Sequence, residues 1–184
     1  MPTRFSLCGV VFFVACASQA SFLIDDFEDG WFDSGPMSGG AVRELVYDVS
    51  LPGQYRYNYF EIIGFPTGAG RMIVAQGAPG VRVQADPGVA TRSFVGYGFW
   101  EGGDPYGNPL NLDLTSVPIM RLRFSQVDSP TSVTFFATTS SGFLNITEWI
   151  NPGQTKVEVD LASSGYDVSN VVSMGWLVET QEGA

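Results

Sequence analysis

Histidine is absent from this 184-residue sequence, cysteine occurs twice, and lysine occurs once, as Lys156. The absence of histidine removes the commonest general base and the commonest transition-metal ligand, and it excludes Ser-His-Asp and Cys-His catalysis. Only 15% of the residues are charged, and the formal net charge is −10. Nucleic-acid binding needs a basic face, which a chain of this composition does not supply. We therefore expect no nucleic-acid partner.

The composition favours one folded domain that is rich in turns. Hydrophobic residues make up 45% of the chain and aromatic residues 14%, which is too many for a disordered protein. The length suits a single core. The 22 glycines and 11 prolines favour frequent turns, and the scarcity of charged residues disfavours a helical bundle.

Residues 1–20 have the three parts of a secretory signal peptide. Arg4 is followed by an apolar run over residues 5–17 and then by small residues, with cleavage expected after Ala20 or Ala17. The apolar run is too short to span a membrane comfortably. We therefore predict an exported protein, extracellular or at the cell surface, whose single domain occupies residues 21–184.

Both cysteines, Cys8 and Cys16, lie inside this leader. The mature domain would therefore have neither a disulfide nor a thiolate metal site. Residues 13–16 resemble a bacterial lipobox, although Phe13 replaces the usual leucine. This leaves an alternative in which lipidation at Cys16 attaches the protein to a membrane.

The remainder of the chain alternates apolar and polar residues with a period of two, which is typical of half-buried strands. In residues 156–161 the apolar set is Val157, Val159 and Leu161, and the charged set is Lys156, Glu158 and Asp160. Two similar inward sets are Met120, Leu122, Phe124 and Val133, Phe135, Ala137, and we assign Trp176 to the core. Short strands separated by Gly- and Pro-rich turns predict an all-β, two-sheet antiparallel β-sandwich, with a β-barrel as the alternative.

The segment Leu-Ile-Asp-Asp-Phe-Glu-Asp-Gly at residues 23–30 carries a family resemblance. It is similar to the opening of many exported bacterial β-sandwich proteins, including those of the PEP-CTERM-associated type. It also resembles the first strand of galactose-binding-like, carbohydrate-binding jelly rolls. The stretches at residues 38–44, 88–92 and 112–115 fit the exported family as well. The resemblance implies a jelly-roll, galactose-binding-like sandwich in the bacterial envelope, in a family without an agreed biochemical activity.

The end of the sequence departs from that family's pattern. Its members usually finish with another strand, a Pro-rich motif, a membrane segment and a basic tail, whereas this sequence stops at Ala184. The resemblance therefore implies either a fragment that lacks its last strand and its C-terminal sorting signal, or a protein without that anchor. The expected membrane attachment is limited to such an anchor or to lipidation.

The densest charge run contains Asp25, Asp26, Glu28 and Asp29. Ca²⁺ prefers several oxygen ligands from carboxylates and carbonyls. Carbohydrate-binding jelly rolls often hold a structural Ca²⁺ where their first and last strands meet. The resemblance therefore implies Asp26, Glu28 and Asp29 as ligands of a structural Ca²⁺. The alternative is a solvated acidic edge that prevents strand pairing.

Tyrosines at positions 55, 57 and 59 would line one face of a strand. A row of aromatic rings can stack against the apolar C–H faces of sugars, and Trp100 could extend that row. We therefore predict carbohydrate binding by Tyr55, Tyr57, Tyr59 and Trp100. The alternative is that these rings fill the core or form cross-strand pairs.

Catalysis has little support in the sequence. Glycoside hydrolysis needs two carboxyl groups facing each other across a cleft; the candidates are Glu61, Glu101 and Glu148, and no signature marks them. We predict a non-enzymatic surface or extracellular-matrix protein that binds polysaccharide or matrix weakly. The alternatives are a purely structural exported protein and a jelly-roll enzyme acting on glycans.

Overall fold

The computed structural model describes residues 5–9, 14–16, 21–64, 67–74, 80–100 and 103–180, with side chains from residue 24 onward. Over these residues the chain forms fourteen strands and one turn of 3-10 helix at Pro52–Gln54. The strands are β1 Phe5–Gly9, β2 Val14–Cys16, β3 Ser21–Leu23, β4 Phe32–Asp33, β5 Gly40–Tyr47, β6 Tyr55–Ile63, β7 Gly70–Val74, β8 Val81–Ala85, β9 Ala90–Tyr97, β10 Ile119–Arg123, β11 Thr131–Thr139, β12 Gly142–Ile150, β13 Lys156–Asp160 and β14 Val171–Thr180. The predicted all-β class is confirmed.

The largest sheet has six antiparallel strands in the order β12-β11-β14-β9-β6-β5. A four-stranded antiparallel sheet has the order β1-β8-β7-β4, and β10-β13 and β2-β3 form two-stranded ribbons. β1 and β2 lie within residues 1–20, the segment that the sequence predicts to be a signal peptide. The signal peptide itself stays a prediction. No helix among the described residues is long and apolar enough to cross a membrane.

One hydrophobic core joins the six-stranded sheet to the smaller sheets. Phe60, Phe135 and Trp176 enter it from the six-stranded sheet, and Met72 enters it from β7. Leu122 of β10 belongs to the same cluster. Sheets that bury their apolar faces against each other form a layered sandwich, so the antiparallel sandwich architecture is as predicted. The jelly-roll and galactose-binding-like type stays a prediction.

The period-two pattern assigns inward and outward residues correctly on several strands. On β13, Val157 and Val159 are buried whereas Lys156 and Glu158 are exposed. Trp176 is in the core, as predicted. The sequence pattern does not predict β12 as a strand, because apolar residues lie on both of its faces. Those residues are Phe143 and Trp149 on one face and Leu144, Ile146 and Ile150 on the other.

Candidate functional site

The outer face is the side of the six-stranded sheet that points away from the core. Tyr55, Tyr57 and Tyr59 lie on it, because they alternate along β6 with the buried Arg56 and Phe60. Strand registers extend this face in three rows of side chains. The rows are Ala41-Glu61-Arg92-Glu179-Ser132-Trp149, then Arg43-Tyr59-Phe94-Leu177-Thr134-Thr147, and then Leu45-Tyr57-Gly96-Gly175-Phe136-Asn145.

An aromatic cluster occupies the middle of the outer face. The rings of Tyr57 and Phe99 are stacked, with centroids 5.9 Å apart. Phe94 meets Phe99 edge-on at 5.2 Å and Phe136 at 6.3 Å. Tyr57 is only 7% exposed, so it supports the other rings and does not itself offer a face to a ligand. Edge-to-face packing of this kind adds stability beyond the burial of area.

Two glycines make room for the Phe94 ring. Gly96 and Gly175 are partners on adjacent strands. A Cβ atom on Gly96 would lie 2.5 Å from Phe94 Cε1, and one on Gly175 would lie 2.5 Å from Phe94 Cζ. No real side chain tolerates such distances. The ring can therefore lie across the backbone of β9 and β14 only because both positions lack a side chain.

The loop after β9 places Trp100 beside β6. Its backbone amide donates to the carbonyl oxygen of Asp104 at 2.9 Å, and Asn108 Nδ2 donates to the carbonyl oxygen of Gly53 at 2.6 Å. The Trp100 ring meets Tyr55 edge-on with a centroid distance of 5.4 Å and is 40% exposed. Trp100 thus joins Tyr55, forty-five positions earlier, at the rim of the outer face.

A cleft of about 460 Å³ lies between this loop and the outer face. Aromatic rings and aliphatic groups form most of its walls, and the side chains of three lining residues carry a hydroxyl. The residues without a hydroxyl are Phe94, Phe99, Gly103, Pro105, Phe136, Ala137, Phe143 and Leu177, and those with one are Tyr59, Thr138 and Ser173. The volume is within the range of small-molecule pockets.

A charged network borders the cleft at Tyr59. The Tyr59 hydroxyl donates to Glu61 Oε2 at 2.9 Å, and Arg92 donates to Glu61 at 3.1 Å and to Glu179 at 2.7 Å. The hydrogen bond that Arg92 donates to Glu179 raises the pKa of Arg92. Burial, followed by the hydrogen bond to Glu61, raises the pKa of Tyr59. These groups therefore form a fixed set of donors and acceptors along one edge of the outer face.

The candidate catalytic carboxylates do not assemble into a facing pair among the described residues. Glu61 and Glu179 both bind Arg92, which lies on the strand between theirs. Glu148 is exposed on the edge strand β12 and belongs to the opposite face from Trp149. Glu101 lies outside the described residues. The space between Glu61 and Glu179 holds a guanidinium group, where glycoside hydrolysis would need a substrate.

The acidic segment at residues 25–29 packs on the core side of β6. Asp25 pairs with Arg56, whereas Asp26 Oδ1 accepts a hydrogen bond from the amide of Glu28 at 3.1 Å. Glu28 and Asp29 are exposed, and the carbonyl oxygen of Asp29 accepts a hydrogen bond from Arg56 at 2.9 Å. Across the described residues, no three acidic or other ligating side chains gather into a metal-binding group. The Ca²⁺ ligands Asp26, Glu28 and Asp29 stay a prediction.

The structure brings the four predicted carbohydrate-binding residues to one face and adds residues that the sequence analysis did not identify. The additional residues are Phe94, Phe136, Phe143, Leu177 and Ser173. The sequence signal that could have located these residues is the pair of glycines at positions 96 and 175, since a glycine inside a strand often marks a close approach of another group.

No family model matches the chain, and a search of curated proteins finds no significant match.

Proposed function

We propose that this chain is an exported, non-enzymatic surface or extracellular-matrix β-sandwich protein that binds carbohydrate weakly through its outer face. The observation that supports this most is the placement of Tyr55, Tyr59 and Trp100 together on that face, with Trp100 partly exposed. Aromatic residues at such positions present flat apolar surfaces without requiring a change in the core.

The surrounding groups have the chemistry that sugar hydroxyls need. Glu61, Arg92 and Glu179 hold their side chains in place by mutual hydrogen bonds and remain partly exposed. Trp149, on the far strand of the same row, is 55% exposed. A pyranose can stack its C–H face on a ring while its hydroxyls bind ionised groups, whose hydrogen bonds are the stronger ones.

The jelly-roll fold type and the structural Ca²⁺ stay predictions. A jelly-roll, galactose-binding-like scaffold with a structural Ca²⁺ at Asp26, Glu28 and Asp29 would hold the outer face in position. Measurements in Ca²⁺ and in EDTA test that part separately. Loss of sugar retention in EDTA would support the Ca²⁺ site. Unchanged retention would contradict the Ca²⁺ site and leave the proposed role of the aromatic surface standing.

Affinity electrophoresis through gels containing soluble polysaccharides, guided by a glycan array, tests the proposal. We expect retardation of the wild-type protein by at least one polysaccharide. Trp100→Ala should lose most of that retardation, because it removes the exposed ring beside Tyr55. Trp31→Ala is the matched control, since Trp31 is 57% exposed and immediately precedes β4, a strand of the four-stranded sheet. Absence of retention on every glycan would favour a purely structural exported protein.

A further inference from the structure

The cleft has a different chemistry from the charged network that borders it. No acidic or basic side chain is among the described residues that line it. The Tyr59 hydroxyl, which reaches the boundary, already donates to Glu61. A sugar ring brings several hydroxyls, and leaving them unpaired in an apolar site is costly. Burying a charged group there would cost more.

Ser173 supplies an unused polar atom at this site. Its side chain is fully buried, and its Oγ has no hydrogen-bond partner among the described residues. Thr138 lies directly opposite on β11 and also lines the cleft. Buried hydroxyls in folded proteins are normally paired. Ser173 is 0% exposed in the free protein, so a ligand atom in the cleft would pair with this unused hydroxyl once the side chain rotates toward the cleft.

We propose that the cleft binds a neutral, largely apolar small molecule: an aromatic ring system carrying one hydroxyl or carbonyl group. Its apolar body would pack against Phe94, Phe136 and Leu177, and its polar atom would bind Ser173 Oγ. A cavity of about 460 Å³ accommodates one or two fused rings. Tyr59 borders both this cleft and the proposed carbohydrate surface, but Tyr55, Trp100 and Arg92 do not line the cleft, so Trp100 can be changed to test the two sites separately.

Isothermal titration calorimetry with 1-naphthol tests the proposal on the whole folded protein. Naphthalene-1-sulfonate has the same ring system with a charge, and glucose has hydroxyls without an aromatic ring. We expect binding of 1-naphthol, with naphthalene-1-sulfonate and glucose at least tenfold weaker. Equal binding of the charged and neutral naphthalenes would overturn the assignment.

Two variants locate the site. Ser173→Ala should weaken 1-naphthol binding by about three- to tenfold, as expected for one lost neutral hydrogen bond. It should not lower the melting temperature, because it removes a hydroxyl that the free protein leaves unpaired. Leu177→Trp should abolish binding by filling the cleft. Unchanged affinity in Ser173→Ala, or in a Leu177→Trp variant that folds, would contradict the proposal.

The same variants keep this site distinguishable from the proposed carbohydrate function. Trp100→Ala should reduce polysaccharide retention while leaving the affinity for 1-naphthol unchanged. Ser173→Ala should have the opposite pattern, and Trp31→Ala should affect neither. Loss of both polysaccharide retention and 1-naphthol binding in Trp100→Ala would contradict a cleft that binds its ligand independently of Trp100.

Discussion

Arg56 and Asp25 form an ion pair between the layers of the sandwich, with Nη1 and Oδ2 2.8 Å apart and side chains that are 0% and 2% exposed. The Tyr97 hydroxyl donates to the same carboxylate oxygen at 2.6 Å, and Arg56 also donates to the carbonyl oxygens of Asp29 and Gly30. The pair therefore connects the acidic N-terminal segment to β6 and β9. Gly30 is required at this point, because it has a φ of +72° and a Cβ atom there would lie 2.8 Å from Arg56 Nη2.

Asp25→Ala should be among the most destabilising single changes in this chain. It leaves the buried guanidinium of Arg56 without its carboxylate, which typically costs about 3–5 kcal/mol. Urea denaturation measures the free energy of unfolding directly. Glu44→Gln is the control, because Glu44 is exposed on β5, and it should change the stability by less than about 0.5 kcal/mol. The Asp25→Leu, Arg56→Met double variant should recover part of the loss. A loss below 1 kcal/mol in Asp25→Ala would mean that Arg56 finds water or another partner.

Alkaline pH should destabilise the protein through Tyr97. Burial, followed by the charge of Asp25, raises the pKa of Tyr97 well above its ordinary value. A raised folded-state pKa contributes stability below the unfolded-state value of about 10, and this contribution is lost as the pH rises above it. We therefore expect Tyr97→Phe to flatten the fall in melting temperature above pH 10. Tyr166→Phe, at an exposed position, should leave that fall unchanged. An unaltered alkaline profile in Tyr97→Phe would contradict the prediction.

Acid pH should act through Asp33, which links β4 to β7. Arg71 Nε donates to Asp33 Oδ1 at 2.7 Å, and this hydrogen bond lowers the pKa of Asp33. A lowered folded-state pKa contributes stability above the unfolded-state value of about 3.9, and this contribution is lost as the pH falls through the lower folded-state value. Asp33→Asn should therefore reduce the acid sensitivity below pH 4. Because Arg71 is partly exposed, we expect a cost of about 1 kcal/mol or less at pH 7. Denaturation midpoints at pH 2.5 and 7 check this, with Asp48→Asn as the control.

Gly175→Ala should both destabilise the fold and disturb the cleft. Its Cβ atom would lie 2.5 Å from the Phe94 ring and 2.6 Å from the carbonyl oxygen of Val95. Overpacking of this kind costs about 1–3 kcal/mol. Gly39→Ala is a matched control, because no atom lies within 4 Å of a Cβ placed there. Combining Gly175→Ala with Phe94→Ala should remove the clash with the ring but not the clash with the backbone. Equal stabilities for Gly175→Ala and Gly39→Ala would contradict this account.

Removal of the predicted leader should expose the edge of β8. The backbone of β1, residues 5–9, pairs with β8, and cleavage after Ala20 would take β1 away. We expect mass spectrometry of the product exported by a bacterial host to give a chain beginning at Ser21. In that product, the β8 amides that face β1 should exchange hydrogen faster than in the unprocessed chain. Recovery of only unprocessed protein inside the cell would contradict the prediction of export.

Alternation along each strand was sufficient to predict the all-β class and the inward residues of β10, β11 and β13. These strands have large apolar side chains on one face and charged or small polar ones on most of the other. Only the apolar face of each strand can therefore pack against the core without burying charged or polar groups. On β6 the same alternation separates Tyr55, Tyr57 and Tyr59 from Arg56 and Phe60 without deciding which set is buried. Both sets carry large side chains with polar atoms, and an arginine is rarely buried unless a partner satisfies it.

That decision depends on contacts between residues far apart in the sequence. Asp25 supplies the partner that lets Arg56 face the core, from 31 positions away. The tyrosines are thereby left on the outer face, where the loop after β9 brings Trp100 to Tyr55. The cleft likewise forms only because β9 and β14 are neighbours and place Gly96 beside Gly175. Period-two spacing carries no information about which distant strands become neighbours, so only the tertiary structure could locate this site.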